Sequence, residues 1–219
     1  MTTRTIRILG SLAAVALVVG LVMSFGVAPR EVHQGNVQRI MYLHVPSVLT
    51  AYLAFAIVLV ASVVHLATRS LVWDRWAAGA AEIGTIFTGL TLVSGSIWGK
   101  PTWGTWWTWD ARLTSTAILF VTYVGYLLLR NVIEDPERRA RLAAVLGILG
   151  ALDIPIVHFS VSWWRTLHQP ATMLTPTPSA ASTIITLAVV VNLVAFILLF
   201  AYLLVKRVRV SRLADEAMA

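Results

Sequence analysis

The sequence predicts an all-α, polytopic membrane protein with six transmembrane helices, both termini in the cytoplasm, and an external tryptophan-rich segment. Composition, the lengths of the apolar runs and the placement of the basic residues carry that prediction. Of 219 residues, 58% are hydrophobic and 12% charged, with a mean hydropathy of +0.80. A water-soluble domain has about 45–50% apolar and about 25% charged residues. So few charges cannot cover a globular surface of this size, which excludes a soluble enzyme, and the hydrophobicity excludes disorder. The absence of cysteine excludes disulfides, Cys-ligated zinc and iron–sulfur clusters.

A helix crossing the hydrocarbon needs about 20 mostly apolar residues. Six stretches approach that length: Ile8–Val27, Val45–Ala67, Ala77–Ile97, Leu113–Leu129, Leu142–Val157 and Ala180–Val205. The first follows Arg4 and Arg7 like a signal peptide, but its apolar run exceeds the about 7–15 residues of a cleaved signal, so it reads as a retained helix. The fifth is short and interrupted by Asp153 and Pro155, with Ser160–Trp164 available to extend it. Short connections make residues 1–219 a single six-helix domain. Residues 206–219 form a polar cytoplasmic tail, expected to be loosely ordered.

Orientation follows from the basic residues. Twelve fall on one side: Arg4, Arg7, Arg69, Arg75, Arg130, Arg138, Arg139, Arg141, Lys206, Arg207, Arg209 and Arg212. Five fall on the other: Arg30, Arg39, Lys100, Arg112 and Arg165. The side with twelve belongs in the cytoplasm. The same bias accounts for the net charge of +7 without a nucleic-acid partner.

The outer segments and the helix ends beside them then hold seven of the nine tryptophans and four of the five histidines. Residues 98–112 place Trp98, Trp103, Trp106, Trp107 and Trp109 within twelve positions. An aromatic belt is one reading, although a belt supplies one or two aromatics per helix end. The other is a helix from Thr102 to Arg112, starting near Pro101 and lying flat on the membrane. Trp103, Trp106, Trp107 and Asp110 would then share one face and present an aromatic plate to a flat ligand. Asp110 can cap the fourth span while also shaping the site.

His44, at the outer mouth of the second span, and His168, beyond the fifth, sit at the depth of this plate from separate segments. Each alone is a polar residue near headgroups; together they can clamp a metal from opposite sides. His158 is expected to hydrogen-bond within the bundle, and His33 and His65 to be structural. Glu82 lies near enough to the inner interface to snorkel. Asp153 is either functional or there to satisfy backbone freed by Pro155. Arg39 and Arg112 are cations on the disfavoured side, suited to ligand carboxylates, or else to headgroup phosphates or Asp110. An aromatic plate, two axial imidazoles and nearby cations are what haem requires.

Trp98-Gly99-Lys100-Pro101 followed by Trp103-Gly104-Thr105-Trp106-Trp107-Thr108-Trp109-Asp110 resembles the tryptophan-rich signature of the haem-handling membrane proteins of cytochrome c biogenesis. Within that superfamily the chain is most similar to the cytochrome c maturation protein C, or haem exporter protein C, family. Gly35-Asn36 to Pro46 around His44, and Trp163-Trp164 to Gln169 around His168, match as well, so the resemblance covers essentially the whole chain. It implies a multi-pass protein of the bacterial inner membrane that holds haem b non-covalently at the periplasmic face. His44 and His168 would be the axial ligands, and the five tryptophans the platform. The implied partners are a periplasmic haem chaperone (cytochrome c maturation protein E), ABC-transporter subunits (proteins A and B) and a small single-span protein (protein D). Arg39 and Arg112 are assigned to the propionates from their positions beside these motifs. The reading is of a binding and transfer protein rather than an enzyme. A b-type cytochrome redox subunit is the alternative, and a small-solute permease ranks below it.

Overall fold

A computed structural model describes residues 3–168 and 180–218, and among them the chain is helical, with no strand. The helices are α1 (Thr3–Val22), α2 (Met41–Thr68), α3 (Leu71–Trp103), α4 (Ala111–Val132), α5 (Pro136–Ala151), α6 (Asp153–Trp163) and α7 (Ala180–Met218). Among the described residues six helical stretches are long and apolar enough to cross a membrane, α5 and α6 together making one of them. Six crossings return the chain to its starting side, and Arg209 of α7 reaches Thr3 of α1 at 3.1 Å. One end of the bundle is therefore basic and carries both termini; the other carries the tryptophan-rich segment.

Packing is closest where residues are smallest. A Cβ added to Gly84 of α3 would stand 2.9 Å from the Ala54 Cβ of α2, so these two helices approach as only Gly and Ala permit. Phe55 stacks on Tyr123 at 3.7 Å between ring centres, and the Tyr123 hydroxyl donates to Gly147 O at 2.9 Å, tying α2, α4 and α5. Asn192 of α7 donates to Ser24 Oγ at 2.8 Å and to Gly20 O at 3.3 Å, fastening α1 to α7. At the basic end Arg130 grips Asp74 with two bonds of 2.6 and 2.7 Å, and Arg207 pairs with Glu82 at 2.5 Å. Glu82 is thus ion-paired, not merely snorkelling.

Two sequence expectations are corrected. The tail is not loose: α7 runs on to Met218, held by Arg75–Asp215 at 2.7 Å and Arg212–Glu216 at 3.3 Å. No helix runs from Thr102 to Arg112. Instead α3 swallows Pro101 and stops at Gly104, whose φ of +80° and N–H bond to Lys100 O end it in the left-handed turn that glycine favours. Residues 104–110 are irregular, and the shared helical face of Trp103, Trp106, Trp107 and Asp110 does not form. The fifth span breaks at Leu152 into two helices, where the sequence shows it interrupted by Asp153 and Pro155, because Pro155 offers no N–H to the preceding turn. Asp153 Oδ2 makes no hydrogen bond there, so this oxygen does not satisfy the freed backbone.

Candidate functional site

At the tryptophan-rich end, α2, α3, α4 and α6 enclose a cavity of about 410 Å³, within the usual range for ligand pockets. Its walls are mainly apolar. His44, Trp98, Trp103, Trp107, Arg112 and His168 all reach it.

His44 lies in the first turn of α2 and is 9% exposed. The Ser94 hydroxyl of α3 donates to Leu90 O at 2.6 Å, so its lone pairs face the imidazole, and His44 Nδ1–H donates to it at 3.0 Å. A neutral imidazole with its proton on Nδ1 keeps the Nε2 lone pair for a metal. The ring sits against Gly95, where an added Cβ would meet His44 Cε1 at 2.9 Å. Trp98 meets it edge-on at 5.8 Å and is itself fixed by donating its indole N–H to Gln34 Oε1 at 2.8 Å.

His168 is held differently. It is half-buried, outside any helix, five residues past the end of α6. Asp110 places this segment: Oδ1 accepts from Leu113 N at 2.9 Å, capping α4, while Oδ2 accepts from Leu167 N at 3.2 Å. Both roles foreseen for Asp110 are compatible with that geometry. Arg112, in the first turn of α4, donates to His158 O at 2.6 Å and Ser160 Oγ at 3.2 Å, and its Nη1 lies 3.4 Å from His168 Nδ1. His158 therefore bonds through its carbonyl; its ring rests against Phe159 at 4.9 Å and Tyr52 at 6.3 Å. Trp103 flanks His168 at 5.9 Å.

The His44 and His168 ring centres are 6.5 Å apart, with 31° between their planes. With metal–nitrogen bonds of about 2 Å, two imidazoles on opposite sides of one ion have centres roughly 6 Å apart. Among the described residues no group of three or more histidines, carboxylates or cysteines could hold a metal. A metal between these rings would thus bring its own equatorial ligands, as a porphyrin does.

The remaining site candidates lie elsewhere. Arg39 donates to Ala28 O at 3.1 Å, to Ser24 O and to Asn36 Oδ1 at 3.3 Å. It serves the unpaired carbonyls where the first span ends in a wide turn over Met23–Val27, a C-terminal position that favours a cation, and it does not line the cavity. Trp106 and Trp109 are exposed, 56% and 81%, and are not part of the wall; Trp109 touches Trp107 edge-on at 5.5 Å.

A family profile described as Heme exporter protein C matches residues 1–219. The chain belongs to that family. It is 42% identical over 200 residues to Heme exporter protein C of Bradyrhizobium diazoefficiens, covering 91% of this chain and 76% of that one. Against the protein of the same name from Escherichia coli it is 43% identical over 162 residues, covering 74% of this chain and 66% of that one. The Haemophilus influenzae protein, also so named, is 38% identical over 211 residues, covering 94% and 84%.

Beside the tryptophan-rich segment, sequence reasoning missed Ser94, Gly95 and Gln34. Ser94-Gly95-Ser96 is a run of small residues near the tryptophan-rich end of the third span. That run could have signalled a close approach by another group. Nothing in the sequence pairs it with His44, fifty positions away.

Proposed function

We propose that this chain holds haem at the periplasmic face of the bacterial inner membrane and passes it to a periplasmic haem chaperone during cytochrome c maturation. Family membership supports haem as the cargo, and the facing of His44 and His168 across 6.5 Å is the observation that carries the site. The two imidazoles take the iron from either side, Trp98 and Trp103 flank them, and Trp107 supplies further aromatic wall. Arg112 is the propionate partner. Arg39 is withdrawn from that role, because it does not line the cavity and is held instead at the end of the first span. The twelve-to-five bias of basic residues supports an external site. The chain acts as a carrier of non-covalently held haem b, not as an enzyme. Its partners are the chaperone (cytochrome c maturation protein E), the ABC-transporter subunits (proteins A and B) and the single-span protein D; ATP-driven movement in the transporter assists release.

The test is the absorption spectrum of protein purified from haem-replete cells. The wild type shows a six-coordinate low-spin haem, and the double variant His44→Ala with His168→Ala loses it. A normal spectrum in that variant removes the ligand assignment.

A further inference from the structure

We infer that the two imidazoles engage the iron in a fixed order: His44 is the standing anchor, and His168 is a latched ligand that Arg112 releases only when a carboxylate of the porphyrin takes the guanidinium. This rests on the proposed haem site and specifies how that site fills and empties.

The asymmetry begins in the backbone. His44 stands on a continuous helix, 9% exposed, with its ring confined by Gly95. Ser94 cannot offer its proton to the ring while it donates to Leu90 O at 2.6 Å, so it accepts from Nδ1 and leaves the Nε2 lone pair ready. His44 needs no rearrangement to bind iron. His168 hangs on an irregular segment placed by the Asp110–Leu167 bond. Its Nδ1 faces Arg112 Nη1 at 3.4 Å, and a guanidinium has protons to give but no lone pair. That contact therefore holds Nδ1 as an acceptor and puts the neutral ring's proton on Nε2, the tautomer that cannot ligate through Nε2.

Arg112 is the element that changes partner. Its bonds to His158 O and Ser160 Oγ anchor one edge of the guanidinium beside the cavity, and Nη1 is the edge turned to His168. A carboxylate competes better for that N–H than a neutral imidazole does, since it adds the attraction of opposite charges to the guanidinium's hydrogen bond and can accept two parallel N–H groups. Once the propionate takes it, His168 can shift its proton to Nδ1 and bind with Nε2. Release runs in reverse: pulling the carboxylate away returns Arg112 to His168, the second iron–nitrogen bond breaks, and the haem remains on His44 alone with one axial face open to an incoming ligand.

The probe is haem dimethyl ester, which keeps the ring and iron but has no carboxylate. Wild-type protein reconstituted with native haem is expected to be six-coordinate, and with the ester five-coordinate in the ferrous state. Arg112→Leu is expected to restore six-coordination with the ester. Independently, carbon monoxide added to the native ferrous complex should displace His168. The iron–carbon stretch of that adduct should match the His168→Ala adduct and shift in Ser94→Ala, while Ser94→Thr should keep the wild-type value. A six-coordinate ester complex in the wild type, or a carbon monoxide adduct that matches His44→Ala and ignores Ser94, overturns the order of engagement. Loss of the underlying site shows up differently: native haem would then keep its spectrum without either histidine.

Discussion

Residues that look secondary in the sequence set the precision of the site. Gly95→Ala adds a methyl where His44 Cε1 already stands 2.9 Å away. The ring must move by several tenths of an ångström, and haem affinity should fall about tenfold or more, measured by titration of the apoprotein, while thermal stability changes less. Glu31 matters through the segment before α2. Its carboxylate accepts from Gln34 N at 2.5 Å and His33 N at 2.7 Å, and the Gln34 bond first, then that of His33, hold it below the ordinary carboxylate range. A depressed pKa contributes order above the unfolded value that is lost as pH falls through the folded one. Protection of the amides of residues 33–35 against exchange, taken relative to the intrinsic rate at each pH, should therefore persist at neutral pH and fall in that acid window, freeing the Gln34 partner of Trp98. In Glu31→Gln the acid-dependent loss of protection should disappear.

At the scale of elements, Asp110 joins the start of α4 to the strand of chain that delivers His168. Asp110→Ala loses the cap, at about 1 kcal/mol, together with the bond to Leu167. Asp110→Asn can still cap through its remaining oxygen but has no second acceptor for Leu167 N. Comparing the two separates the functions: melting temperature should fall in the alanine variant and hold in the asparagine variant, whereas both should lose low-spin haem. The irregular stretch after α3 also explains why the tryptophans do not act as one plate. Ending the helix at Gly104 sends Trp107 inward and leaves Trp106 and Trp109 outside, so alanine at Trp109 should affect haem retention less than alanine at Trp103.

For the whole molecule, the basic end holds the bundle together and the tryptophan end leaves room for a ligand. The Asp74–Arg130 pair is largely buried, with side chains 8% and 15% exposed. Removing one partner strands the other, so Asp74→Ala should cost about 3–5 kcal/mol, read as a lowered unfolding temperature in detergent. The chain's lack of cysteine also makes topology directly measurable. A single cysteine at Thr105 should react with an impermeant maleimide added to intact cells, and one at Ala214 should react only after lysis.

The number of spans, the shared side of the two termini and the pair of histidines were all legible from residue order alone, because membrane thickness and charge bias act on local sequence. His44, His168, Trp98, Trp103, Trp107, Asp110 and Arg112 stood out by type and place. What residue order could not settle was which of these groups meet. Arg39 and Arg112 look equivalent along the chain, yet one is drawn to the carbonyls at the end of the first span and the other to the cavity. Only packing brought Ser94 and Gly95 beside His44 and turned Arg112 toward His168. Hydrogen-bond partners across helices depend on how the helices are rotated and stacked, and the small residues between α2 and α3 fix that in three dimensions.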